Sequence, residues 1–120
     1  MAIGSHRDLV VWQKSMLLAK EVYGLAKRLP KAEEYRLTSQ ILRSAASVPA
    51  NIAEGHARGT RKDYARHVSI ARGSLAETET FLLLIVSVEL LTETDAAVAR
   101  SLCEEVSKML TSLLARLRDD

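Results

Sequence analysis

Apolar residues recur every three or four positions in four segments of the chain, which is the spacing of one face of an α-helix. The first segment carries two adjacent apolar stripes, made of Leu9, Trp12, Met16, Ala19, Tyr23 and Ala26 and of Val11, Ser15, Leu18, Val22, Leu25 and Leu29. Together they form a wider apolar face than a two-stranded coiled coil needs. This width predicts burial inside a helical bundle and contact with another subunit.

Boundary residues divide these segments into helices. A hydroxyl residue followed three positions later by an acid is typical of a helix start, and this pattern occurs at Ser5–Asp8 and Thr60–Asp63. Thr92, Thr94 and Asp95 supply a further start signal. Pro30 ends the first helix, because the residue before a proline is pushed away from the helical conformation. We therefore predict helices at about residues 8–29, 30–55, 60–91 and 94–118.

Pro49 interrupts the second helical pattern. A proline inside a helix removes the hydrogen bond to the carbonyl four residues earlier, which here belongs to Ala45. The apolar spacing of Ile41, Ala45, Val48 and Ile52 continues through it, so we expect a kink and not a chain reversal.

Length and composition set the fold class. The chain has 120 residues, of which 48% are hydrophobic and only 4% aromatic, and this favours one helical domain spanning residues 1–120. Short connections favour antiparallel neighbours, so the predicted fold is all-α, a single-domain antiparallel up-down four-helix bundle. The apolar run Phe81–Val88 is too short to span a membrane, and a single cysteine with no secretory signal indicates a cytoplasmic protein.

Charge is segregated along the chain. Residues Arg36–Gly73 contain seven Lys or Arg and two acids, whereas Ser74–Asp95 contain five acids and no Lys or Arg. The cations are densest where the second helix meets the third, at Arg58, Arg61, Lys62 and Arg66.

This basic turn permits two interpretations. Arg61 and Lys62 stand in the first turn of a helix, where cations oppose the helix dipole, so an anionic partner such as RNA or DNA phosphate would compensate them. The alternative is a solvated turn, or one that forms salt bridges with the acidic stretch of a neighbouring helix or subunit. Tyr64 is the one aromatic residue within this turn, so the pattern does not predict base-specific recognition.

A stripe of polar residues follows the second helix at steps of three and four: Gln40, Arg43, Ser47, Asn51 and Glu54. Such a stripe is solvated, or forms a hydrogen-bonded seam against another helix or subunit, or faces a ligand. We favour the seam, because polar residues in helical interfaces fix register and partner number.

The sequence contains no set of residues typical of an enzyme. We find no phosphate loop, no dinucleotide motif and no paired metal-ligand spacing, and Cys103 lies on an apolar helix where an inert buried thiol is expected. We therefore predict a protein with no catalytic residues, no metal and no cofactor, which contacts no membrane.

Three stretches resemble a known family. They are HRDLVVWQK at residues 6–14, YRLTSQILRSAASVPANIAEG at residues 35–55 and IARGSLAETET at residues 70–80. They resemble the four-helix-bundle proteins encoded within intervening sequences of bacterial 23S rRNA genes. The resemblance covers about Arg7 to Leu91, and the last helix matches only in pattern. Arg36 departs from the glycine that is more usual there, which adds a charge.

The resemblance implies a cytoplasmic bundle that assembles with itself into a ring-like homo-oligomer, a pentamer. The family is related to the accessory variability determinant bundles of retroelements, which serve reverse transcriptases and associate with nucleic acid. Two functions therefore remain open. One is a nucleic-acid-associated oligomer that uses the basic turn, and the other is a scaffold that binds another protein and contacts no nucleic acid.

Overall fold

The structure, a computed structural model, describes residues 4–119; residues 1–3 and 120 of the predicted domain lie outside the described residues. Four helices form it: α1 (Val10–Ala26), α2 (Ser39–Ala57), α3 (Arg61–Ser87) and α4 (Glu93–Arg118). No strand occurs within residues 4–119. The predicted all-α four-helix bundle is confirmed.

Contacts between helices fix their directions. In each contacting pair of helices, residues near the start of one helix contact residues nearer the end of the other. Lys14 of α1 contacts Glu105 of α4, and Arg28, two residues past the end of α1, contacts Asp95 of α4. Between α2 and α3 the contacts are Ser44 with Thr78 and Asn51 with His67. The helices of each pair therefore run antiparallel, and α2 and α3 end and begin at the same end of the bundle.

The core is built from the apolar stripes that the sequence predicts. Its fully buried large side chains include Leu18, Val22, Ile41, Val48, Ile52, Val68, Leu82, Ile85, Val106 and Leu110. Burial of each such side chain contributes about 1.5–3 kcal/mol to folding. In the first helix, the stripe from Val11 to Leu25 is buried, whereas Met16 and Tyr23 of the other stripe remain 45% and 49% exposed.

The second helix begins at Ser39, and not at about residue 30 as predicted. Pro30 has extended backbone angles, Lys31–Glu33 form a short 3-10 turn, and Arg36 has the non-helical angles φ −119° and ψ −108°. Most side chains between Pro30 and Arg36 are exposed. Without an apolar face to pack against the core, this segment lacks the tertiary contacts that stabilise most helices in proteins.

Two other predicted boundaries also shift. Ser5 accepts a hydrogen bond from the Arg7 backbone and caps a 3-10 turn at His6–Asp8, so α1 itself starts only after Leu9. The first helix also ends earlier than predicted, at Ala26. The third helix ends at Ser87 and not near residue 91.

The end of α3 is a Schellman motif. Glu89 adopts φ +64°, while its N–H donates to Val86 O and the N–H of Leu90 donates to Ile85 O. Glycine usually occupies this left-handed position and marks a helix end in the sequence. Because Glu89 stands there instead, the sequence does not indicate where α3 ends. The two threonine starts are as predicted: the hydroxyls of Thr60 and Thr92 each accept a hydrogen bond from the backbone three residues later.

Pro49 lies inside α2, which continues on both sides of it. The prediction that the chain does not reverse at this proline is confirmed. Among the described residues, no helix combines the length and apolar character needed to cross a membrane.

Candidate functional site

The basic turn lies between α2 and α3. Arg58 caps the end of α2, and Gly59 follows with φ +85°, a left-handed conformation that glycine adopts at little cost. Thr60 then caps α3. The tight turn brings the cations on both sides of it to one end of the bundle.

Arg58 is paired within its own helix. Its Nη2 donates to Glu54 Oε2 over 2.8 Å. This hydrogen bond lowers the pKa of the Glu54 carboxyl below its ordinary value, with a further contribution from His67, and the same bond raises the pKa of Arg58. Both side chains are about half exposed, so the pair is screened by water and stabilises the fold only weakly.

Arg61 contacts the far end of the chain. Its Nη2 donates to the carbonyl oxygens of Arg116 and Asp119, the latter over 3.0 Å, at the C-terminus of α4. The last carbonyls of a helix have no partner within the helix and carry the negative end of its dipole. The cation that opposes the dipole of α3 is therefore compensated by the dipole of α4, and no external anion is needed for it.

Lys62 and Arg66 are exposed and lie near the last turn of α4. Together with Arg118, Ile70 and Leu117 they line an open groove of about 590 Å³. We call the whole group of cations the basic end, which consists of Arg58, Arg61, Lys62, Arg66, Arg116 and Arg118. The sequence prediction found the first four and missed the last two. Their only local signal is that Arg and Lys are common in the last turn of a helix.

Tyr64 lies beside the basic end but is directed inward. Its ring meets the ring of His56 edge to face, with 5.8 Å between the centroids. Burial raises the pKa of the Tyr64 hydroxyl, and the nearby charge of Arg116 opposes that shift. A half-buried ring offers little surface for base stacking.

The polar stripe of α2 meets α3 along part of its length. Ser47 Oγ and Ser74 Oγ share a hydrogen bond of 2.8 Å, and Asn51 Oδ1 lies 3.1 Å from His67 Nδ1. Deeper in the core, Thr78 Oγ1 donates to Ser44 Oγ over 2.9 Å.

The remaining stripe residues lie at its two ends. Gln40 and Arg43 are exposed, and Glu54 is half exposed beside the basic turn. We call the hydrogen-bonded set between α2 and α3 the polar seam: Ser44, Ser47, Asn51, His67, Ser74 and Thr78. Its α3 members are absent from the sequence prediction, although His67, Ser74 and Thr78 follow helical spacing that could have indicated them.

A second surface lies on the outer side of α1 and α4. Leu17 and Val98 are 51% and 57% exposed, and they line a groove of about 690 Å³ together with Gly24 and Leu102. We call this groove the α1–α4 face. Val10, two helical turns before Leu17, is also exposed and lines a further groove of about 380 Å³ between the same two helices.

Within residues 4–119, no three His, Cys, Asp or Glu side chains converge as metal ligands would. Cys103 is buried, and burial with the nearby charge of Glu79 raises the pKa of its thiol to about 12. Since the thiolate is the reactive form, this cysteine is inert at neutral pH.

Similarity to known proteins extends over most of the chain. Residues 7–112 match the family model described as 23S rRNA-intervening sequence protein. Among solved structures, the chain is similar to a protein of unknown function from the S23 ribosomal protein family of Bacteroides thetaiotaomicron. The two share 32% identity with a TM-score of 0.82, over 88% of this chain and 98% of that one. None of the curated proteins compared with the chain matches it significantly.

Proposed function

The chain belongs to the 23S rRNA-intervening sequence protein family, and from that premise we propose that it is a non-enzymatic, cytoplasmic homo-oligomer that binds nucleic-acid phosphates through its basic end. The observation that carries this proposal is the meeting of two distant segments. Cations of the α2–α3 turn and of the last turn of α4 lie at one end of the same bundle.

Three of these cations are available to an anion. Lys62, Arg66 and Arg118 are exposed and have no carboxylate within salt-bridge distance among the described residues. A few phosphate contacts give weak binding at physiological salt. Several linked copies of the same site raise the effective concentration for each further contact, so a ring of bundles would bind far more tightly than one.

Binding of the wild-type protein to nucleic acid tests this function. We expect a labelled RNA oligonucleotide and a labelled DNA duplex of mixed sequence to be retained at about 50 mM salt, because phosphate contacts release counterions. Affinity should fall steeply and log-linearly towards about 200 mM salt, with little dependence on sequence. Fluorescence anisotropy at several salt concentrations measures the slope.

Absence of retention at about 50 mM salt would contradict the proposal, because screening is modest there. The protein-binding scaffold would then replace it. A pull-down from native cytoplasm with and without nuclease separates the two functions, because a protein partner of the scaffold survives the nuclease and a nucleic-acid-bridged partner does not.

For self-assembly, we propose that the α1–α4 face of one copy receives α3 of the next. The outer side of α3 carries exposed Glu77 and Leu84, and exposed Val88 follows directly after the helix end at the same helical spacing. Exposed Lys20 lines the α1–α4 face beside Glu21, so Glu77 of one copy can pair with Lys20 of the next. Because the two surfaces differ, the contact is head-to-tail and closes into a ring if the rotation allows, with five copies suggested by the resemblance.

Substitution of Leu17 by Glu should abolish this assembly. A carboxylate at this position loses its water when the apolar side chains of the next copy cover it, so light scattering at micromolar concentration should fall from a multiple of the 13.3 kDa chain mass to a single chain. Tyr35→Glu is the control, because Tyr35 is 88% exposed on the connection between α1 and α2. Adding Leu84→Lys to Leu17→Glu should restore part of the assembly. A monomer mass for the wild type would contradict self-assembly altogether.

A further inference from the structure

His67 is buried where α2 and α3 approach closely. The residue is only 5% exposed, and a methyl group added at Gly55 would lie 2.8 Å from His67 Cβ. The imidazole is therefore enclosed between the helices. Its two nitrogens face different groups, and the hydrogen bonds around them settle which one carries a proton.

The amide of Asn51 fixes the proton on Nδ1. Asn51 Nδ2 donates to the carbonyl oxygen of Ser47 over 2.9 Å and to its hydroxyl over 3.0 Å. Because a carbonyl can only accept, the amide cannot be flipped, and its Oδ1 must be the atom that faces His67. Oδ1 lies 3.1 Å from Nδ1 and also only accepts, so Nδ1 must donate.

The other nitrogen, Nε2, is left without a partner. It is buried and makes no hydrogen bond to the described residues, and Glu54 Oε2 lies 3.9 Å away. In a neutral imidazole with its proton on Nδ1, Nε2 is a bare acceptor that faces a carboxylate. A buried acceptor without a donor is unfavourable. A second proton would turn the same atom into a donor directed at an anion.

Four charged groups lie on the neighbouring turns of the two helices: Glu54 and Arg58 on α2, and Asp63 and Arg66 on α3. The hydrogen bond from Arg58, together with the charges of His67 and Arg66, lowers the pKa of the Glu54 carboxyl. Of these four groups, Glu54 is the one whose side chain lies within 4 Å of the imidazole, and its hydrogen bond with Arg58 keeps it ionised. The carboxylate is therefore ready to accept from both partners at once.

We propose that His67 and Glu54 form a proton-operated latch between α2 and α3, which closes when Nε2 gains a proton and opens when it is lost. In the closed state, Nε2–H donates to Glu54 and ties the helices together beside the basic turn. In the open state, Nε2 is an unsatisfied acceptor and this end of the helix pair is held only by its other contacts. The latch requires neither nucleic acid nor self-assembly, so it stands independently of the proposed function.

The first test reads the tautomer directly. A long-range proton–nitrogen NMR spectrum of the wild-type protein at neutral pH should show neutral His67 with its hydrogen on Nδ1 and a bare Nε2. On acidification, the Nε2 resonance should move to that of a protonated nitrogen. His67 with its hydrogen on Nε2 at neutral pH would overturn the proposal, because that atom would then already be a donor.

The second test compares stability with and without the carboxylate. Between about pH 8 and pH 5, the urea midpoint of the wild type should rise relative to that of Glu54→Gln by roughly 0.2–0.5 M, as for a weak exposed ion pair. The pKa of Glu54 is lowered from its ordinary value of 4.5, so the stability that its own ionisation contributes is lost only below this window.

A control variant separates the latch from the neighbouring ion pair. Arg58→Gln removes the competing cation and leaves His67 and Glu54 in place, so the gain on acidification should persist or grow. If the difference in urea midpoint between the wild type and Glu54→Gln stays constant from about pH 8 to pH 5, the latch is overturned. A histidine with a purely structural role would leave that difference independent of pH.

Discussion

Replacement of Gly55 by Ala should lower the free energy of unfolding by about 1–3 kcal/mol, as overpacking of a tight interior does. The added Cβ would meet His67 Cβ at 2.8 Å and Tyr64 Cδ1 at 3.1 Å. A Cβ atom is fixed to the backbone, so α2 and α3 must move apart to relieve the contact. The same shift would lengthen the bonds of the polar seam around Asn51.

Whether Gly55→Ala raises or lowers the free energy of unfolding shows which of two effects dominates: tight packing, which makes the variant less stable, or helix propensity, which makes it more stable. Alanine normally stabilises the interior of a helix relative to glycine by roughly 0.5–1 kcal/mol. Gly73 provides the control, because it lies inside α3 with no atom within 4 Å of an added Cβ. Urea unfolding should therefore show Gly73→Ala to be more stable than the wild type and Gly55→Ala to be less stable. A stabilising Gly55→Ala would show that the two helices do not approach closely here.

Removal of the free cations at the basic end should nearly abolish nucleic-acid binding. The variant changes Lys62, Arg66 and Arg118 to Gln and leaves Arg61 intact, because Arg61 holds the end of α4. Each lost phosphate contact lowers the slope of log affinity against log salt by about 0.7–0.9, so the three together lower it by roughly 2–3. At low salt we expect affinity to fall by roughly 10²-fold or more, since the loss repeats in every subunit.

A second triple variant controls for net charge. Lys27, Lys31 and Arg43 are exposed and lie outside the basic end, and their replacement by Gln removes the same three charges from a net charge of +2. Binding should be largely retained, because the local group of cations is intact. Equal losses in the two variants would indicate attraction by overall charge and refute a defined site. Circular dichroism and light scattering should be unchanged in both.

The candidate site was only partly predictable from the sequence. The cations around the α2–α3 turn are neighbours in the chain, so their clustering follows from their order alone. That Arg58 pairs with Glu54 also follows from the spacing of four residues on one helix. In contrast, Arg61 contacts Arg116, which lies 55 residues later, and no local pattern indicates such a partner.

The burial of His67 shows the same limit. In the sequence it stands among exposed cations and resembles another member of the basic turn. In the structure it is directed inward, because it lies on the face of α3 that packs against Gly55 of α2. A residue's neighbours along a helix do not determine which of its faces is covered.

Local chemistry, which the sequence contains in full, determined the number of helices, their apolar stripes and the caps at Thr60 and Thr92, because helix periodicity and capping act over a few residues. Tertiary structure decided what depends on contacts between distant segments. It delayed the start of α2 to Ser39, after the non-helical backbone of Arg36, and it joined the last turn of α4 to the basic turn. It also placed a buried histidine opposite a carboxylate, because antiparallel packing sets the register of α2 against α3.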